Sequence, residues 1–179
     1  MTTARHLVLS SIINAKCRQN YHEESEAFVN QQINVELKAY YQYLALSAFY
    51  NRDDVALRGF SQFFKKIAEE ENEHAQKLIK YQNFRGGRAV FNDVSTPAEH
   101  EWASPQAAIE FALNLEKKSL LDLHAMGSNH NDPHLCHYLE EEFLKEPVES
   151  IYELAKHHTN LLRLGDGVGV FLYDKELRS

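Results

Sequence analysis

Apolar residues recur at helical spacing in four long segments of the chain, and the ends of those segments carry start and stop signals. The first segment runs from about Glu24 to Tyr50. The second begins after Asp53 and Asp54, a pair suited to N-capping, and ends at Gly86 and Gly87. The third starts at Ser104-Pro105 and the fourth at Asp132-Pro133, each a capping side chain followed by a proline whose missing N–H costs nothing in a first turn. Gly165 and Gly167 close the fourth, and the apolar stretch from Val168 to Leu172 predicts a short fifth helix. The expectation is an all-α chain: a four-helix bundle with one long crossover and a short fifth C-terminal helix. The crossover, from about Phe84 to Ala103, has a geometric use. A helix of about 25 to 30 residues is ~40 Å long, and ~20 extended residues can run its full length, so the second and third helices can lie parallel.

Several polar residues fall inside these apolar stripes. On the second helix the inward face is set by Phe60, Phe64, Ile67 and Leu78, and Glu71 and His74 lie within it, whereas Glu69 and Glu73 point outward. On the first helix the stripe is Ile33, Leu37, Tyr40 and Leu44, with Glu36 and Tyr43 on one shoulder. On the third it is Ile109, Leu113, Leu120 and Leu123, with Glu116 inside. A buried carboxylate needs a charge partner, a proton or a metal. A lone Glu-x-x-His usually sits on a solvated face, and a lone Glu at a stripe edge is usually a salt-bridged boundary residue. The conjunction is different, because three separate helices each send an acid inward. Three carboxylates and one imidazole form a hard oxygen and nitrogen donor set suited to iron, with Glu71 and His74 as an i, i+3 pair.

Length and charge narrow the classes. At 179 residues the chain is expected to form a single domain, and its formal net charge of −7 argues against a nucleic-acid or anionic-membrane partner. Cations are the more natural ligands. The longest uncharged stretch, Ala39 to Asn51, has 13 residues, short of the ~20 that a membrane span needs. Cys17 and Cys136 lack metal-ligand spacing and read as reduced thiols in an intracellular protein. Arg5, Lys16 and Arg18 precede the first acidic residue, Glu23. Residues 1–22 are therefore expected to be an extension outside a domain of residues 23–179, in a cytoplasmic protein. A mitochondrial location is the alternative, from the acid-poor, basic N-terminus.

Particular segments resemble a known family: RQNYHEESE at 18–26, QINVEL at 32–37, DDVAL at 53–57, EEENEHAQKL at 69–78, QNFRGGR at 82–88, LEK at 115–117, NDPHLC at 131–136 and YDK at 173–175. Together these are similar to the ferritins, and to their heavy-type subunits. The one-crossover bundle is the connectivity of ferritin-like folds, so that part of the fold expectation is matched as well as reasoned. The resemblance implies that Glu36, Glu71 and His74 bind one iron and that Glu71 bridges to a second iron held also by Glu116, with Tyr43 nearby. It implies two ions per subunit, ferrous iron and dioxygen or peroxide as reactants, and self-assembly into a hollow shell, alone or with other ferritin subunits. Glu70 and Glu73 match acidic positions of inner-surface iron handling. His137 and Glu140, with His124, His134 and Cys136 nearby, match the lining of the family's cation entry channels, where the position of His137 is an acid in many relatives.

The chain also departs from the family pattern. Pro147 stands where a glutamine usually lies near the second iron, and it predicts a kink near Lys145 to Pro147. The third helix is three residues shorter than the pattern between Glu116 and Ser119. These departures leave open a second reading, a structural subunit that co-assembles with active chains without oxidising iron. An oxidase acting on an organic substrate is disfavoured, because no second Glu-x-x-His lies near Glu149.

Overall fold

Two long helices, α1 (Glu23–Tyr50) and α2 (Arg58–Phe84), form an antiparallel hairpin and pack closely along their length. They are followed by α3 (Pro105–Gly127), α4 (Pro133–Phe143), α5 (Lys145–Leu164) and α6 (Val168–Glu176). The computed structural model describes residues 15–127 and 132–178, without the side chains of 122 and 124–127. No strand occurs among the described residues. No helix among them is long and apolar enough to cross a membrane. Residues 1–14 of the segment expected to be an extension, and the side chain of His124, lie outside the described residues, whereas Tyr21 packs into the core and Arg18 pairs with Glu26.

The crossover makes α2 and α3 parallel, as expected. Trp102 stacks edge-on against Phe49, and Tyr50 donates a hydrogen bond to the Ser104 carbonyl at 3.2 Å, which puts the start of α3 beside the end of α1. At the other end of the bundle, Leu123 shares an apolar cluster with Phe28 and Leu78. A polar ladder on α1 carries the connecting segment. Asn30 donates to the Arg88 carbonyl at 3.0 Å and accepts from the Val90 N–H at 2.9 Å, and Gln42 accepts from the Ala98 N–H at 3.2 Å. Asn34, one turn beyond Asn30, reaches the Asn92 and Asp93 carbonyls. These side chains give the extended backbone the partners that it cannot find in itself.

Four details differ from the sequence expectation. The capping pair Asp53 and Asp54 does not cap α2, which starts at Arg58 after Leu57. Asp54 is instead held by Arg52, and the N-terminus of α2 is capped from far along the chain, the Phe60 N–H donating to Asp174 at 3.1 Å. On α1 the core face is rotated: Leu44 is exposed while Tyr43 and Leu46 are fully buried, so Glu36 lies at the centre of the buried face and not on its shoulder. The fourth long helix is two, broken at Leu144. Proline at 147 has no N–H for the Phe143 carbonyl and its ring crowds that carbonyl, so the helix stops at Phe143 and restarts with Pro147 in its first turn. The break falls where the kink was expected. The last helix extends to Glu176, beyond the apolar stretch that predicted it. The caps at Ser104 and Asp132 stand as read, accepting from the Ala107 and Leu135 N–H groups at 3.1 Å each. The third helix is continuous from Pro105 to Gly127.

Candidate metal centre

Helical spacing alone brings the first donors together. Glu71 and His74 are one turn apart on α2, and Glu36 faces them from α1. Donor atoms of Glu36, Glu71 and His74 lie within 4.8 Å of one another, and all three residues are buried. Glu116 enters from α3 at 6 % exposure and accepts from the Tyr43 hydroxyl, which is fully buried. Gln32, one turn before Glu36, donates its amide to Glu36 Oε1 at 2.6 Å. The cluster opens into a cavity of about 340 Å³, walled on the α4–α5 side by Phe143, Pro147 and Leu154.

Burial dominates the electrostatics. Desolvation, reinforced by the neighbouring Glu71 charge, holds the Glu36 carboxyl well above the ordinary carboxylate range. Glu71 is pushed up to about 8, by burial first and by Glu116 second. Glu116 is raised by burial, with the Tyr43 hydrogen bond offsetting part of the effect. Burial and the adjacent Glu116 likewise raise the Tyr43 phenol. Three acids packed together can be neutralised by protons or by a cation, and a hard divalent ion suits this oxygen and imidazole set.

Pro147 is buried in the cavity wall, as expected of an inward position, and offers no donor. Glu70, half-buried, lines the cavity beside Lys66, their side chains 3.5 Å apart. Glu73 is exposed and does not line it. His137 and Glu140 are exposed on α4, away from the cluster, with His137 Nε2 3.4 Å from Glu141. His134 Nδ1 lies 3.2 Å from the Tyr81 hydroxyl.

Sequence reasoning missed Glu146. Its Oε2 lies 2.9 Å from His74 Nε2, on the ring edge opposite Glu71, while His74 Nδ1 lies 3.6 Å from Glu71 Oε2. The signal for Glu146 in the sequence was adjacency to the inward-facing Pro147. Gln32 was more legible, being four residues before Glu36 on the same helix.

An all-helical bundle with one long crossover and a buried acid–imidazole cluster defines the ferritin-like class. The model of the ferritin-like domain matches residues 26–164. The chain is 51% identical over 168 residues to a soma ferritin of Lymnaea stagnalis, covering 92% of this chain and 97% of that protein. It is 50% identical over 163 residues to a ferritin-1 heavy chain of Schistosoma mansoni, covering 89% and 94%. It is 48% identical over 169 residues to a ferritin light chain of Pongo abelii, covering 91% and 97%. The chain belongs to the ferritin family, whose work is iron storage. Overall identity does not separate heavy from light relatives here, so the site must carry that distinction.

Proposed function

We propose that this chain is a catalytic ferritin subunit. It oxidises ferrous iron with dioxygen or peroxide at the buried cluster and passes ferric iron to a mineral inside a hollow shell built from copies of itself. The observation that carries the reading is the set of donors from Glu36, Glu71 and His74, three buried side chains whose ligating atoms lie within 4.8 Å of one another. Glu36, Glu71 and His74 hold the first ion. Glu71 bridges to a second, held also by Glu116, and Tyr43 orients Glu116 through its hydroxyl. The anionic donors favour ferric over ferrous iron, and the cavity leaves room for the oxidant. Glu70 and Glu73 serve the onward movement of iron, and His137 and Glu140 line the route of entry between subunits. Residues 23–179 form the iron-handling domain, with Tyr21 of the preceding segment packed into its core, in a cytoplasmic protein.

Ferrous iron added aerobically to the purified protein tests this. Rapid ferric absorbance, with iron retained on the protein, is expected. Glu71→Ala should abolish the fast phase and leave a helical protein. An equal rate in the variant would remove the site assignment. A parent rate equal to the buffer blank would favour the second reading, a structural subunit, which the absence of a donor at Pro147 motivates.

A further inference from the structure

The two ring nitrogens of His74 face different carboxylates. Nδ1 looks into the cluster, 3.6 Å from Glu71, and Nε2 meets Glu146 at 2.9 Å. A neutral imidazole has one N–H and one lone pair, and a carboxylate can only accept, so the hydrogen bond to Glu146 requires the proton to sit on Nε2. The lone pair is then on Nδ1, aimed where Glu36 and Glu71 place their oxygens.

We infer that Glu146 is a positioning residue of the metal centre: by accepting from His74 Nε2–H it fixes the tautomer and ring orientation that present Nδ1 to an ion held with Glu36 and Glu71. This rests on the reading of the cluster as a metal site. Such outer carboxylates orient ligating imidazoles and raise their basicity, and their removal costs about tenfold to a hundredfold in metal affinity. The contact lies beside the helix break. Leu144 separates α4 from α5, and Glu146 is the second residue of α5, immediately before Pro147. Pro147 offers no donor to the cavity, and Glu146 beside it in the first turn of α5 reaches His74. The ring is held from its other side by packing against Phe143, centroid to centroid 5.4 Å. With a side chain 46% exposed, Glu146 can be replaced without opening a cavity in the core.

Cobalt(II) reports the site without redox chemistry, through its visible ligand-field absorbance and a competitive chelator titration on the assembled, iron-free protein. Glu146→Ala should weaken the tightest Co²⁺ site about tenfold or more and change its spectrum. Glu146→Gln keeps an oxygen that accepts from Nε2–H while losing the charge, and should retain most of the affinity. Equal losses in the two variants would overturn the inference, because the carboxylate would then act as a direct ligand or through its charge. Unchanged affinity in both would overturn it as well. Glu71→Ala separates the two levels. If it removes tight Co²⁺ binding while Glu146→Ala has no effect, the metal site stands and the positioning role falls. If it leaves tight binding intact, the site reading falls, and the role of Glu146 with it.

Discussion

Glu36, Glu71 and Glu116 are acids in a place that suits acids badly, and the cost is readable as pH dependence. Each carboxyl is raised in the folded chain above its ordinary value of 4.5, so above that pH the folded state keeps protons that the unfolded state has released. Stability of the metal-free protein therefore falls as pH rises from 4.5 towards the raised values, about 8 for Glu71. Thermal unfolding of the iron-free protein should show a midpoint that drops between about pH 5 and about pH 8, a drop that saturating Zn²⁺ removes by taking the place of the protons. Glu71→Gln, which has nothing to titrate there, should flatten the fall. A parent midpoint independent of pH across that range would mean that the carboxyls are solvated. Legibility at this scale was high for residue type and lower for orientation. Spacing placed Glu71 and His74 correctly, yet it put Glu36 at the margin and Leu44 in the core, because the apolar count on α1 is spread around the helix and the polar ladder to the crossover occupies a face of its own.

Helix α5 owes its start to Pro147, and the proposed second ion position should be the poorer one because proline offers no donor. Titration with Zn²⁺ should show one tight and one weak site per subunit. Pro147→Gln, which restores an amide and the backbone bond to the Phe143 carbonyl, should strengthen the weak site and raise helicity across Leu144. Two equal sites in the parent would contradict this. The last helix is held by a different device. Asp174 is fully buried, accepts the Phe60 N–H and is paired with Arg178. A β-carbon at Gly59 would collide with the Asp174 carbonyl, so the first turn of α2 and the last helix can meet only at glycine. Asp174→Ala should cost about 2 kcal/mol, the loss of a cap in a buried setting, and should free α6 for proteolysis at Gly165 to Gly167. Chemical unfolding and limited proteolysis would measure both, and a protected hinge in the variant would show that apolar packing alone docks the helix.

Across the whole subunit, apolar side chains cluster in exposed positions near the C-terminal end, among them Leu162, Val168, Phe171 and Leu172. Patches of this kind mark surfaces that association covers, in keeping with a family that assembles. The proposed entry of iron belongs to this scale, because a channel between subunits would be lined by the same residue repeated around an axis. If His137 lines it, each subunit gives the channel less negative charge than an acid would, and a narrow low-dielectric passage amplifies the difference. His137→Asp should speed iron uptake at matched ionic strength, with oxidation of surface-bound iron subtracted. An unchanged rate would place the entry route away from α4.

Apart from the parallel placement of α2 and α3 that the crossover's length allows, what followed from the sequence alone was local: helical periodicity, the Ser104 and Asp132 caps, the proline that breaks the fourth helix, and the acids and histidine lying inside apolar stripes. These depend on residues within a turn or two of each other, where geometry is set by the backbone itself. The tertiary structure decided which distant groups meet. His74 and Glu146 are 72 residues apart, Phe60 and Asp174 are 114 apart, and Asn30 holds a carbonyl 58 residues on. Periodicity assigns a residue to a face, but it carries no information about which atom of another helix stands opposite. That choice is made by packing, which here turned an unremarked glutamate beside a proline towards the imidazole of the candidate metal centre.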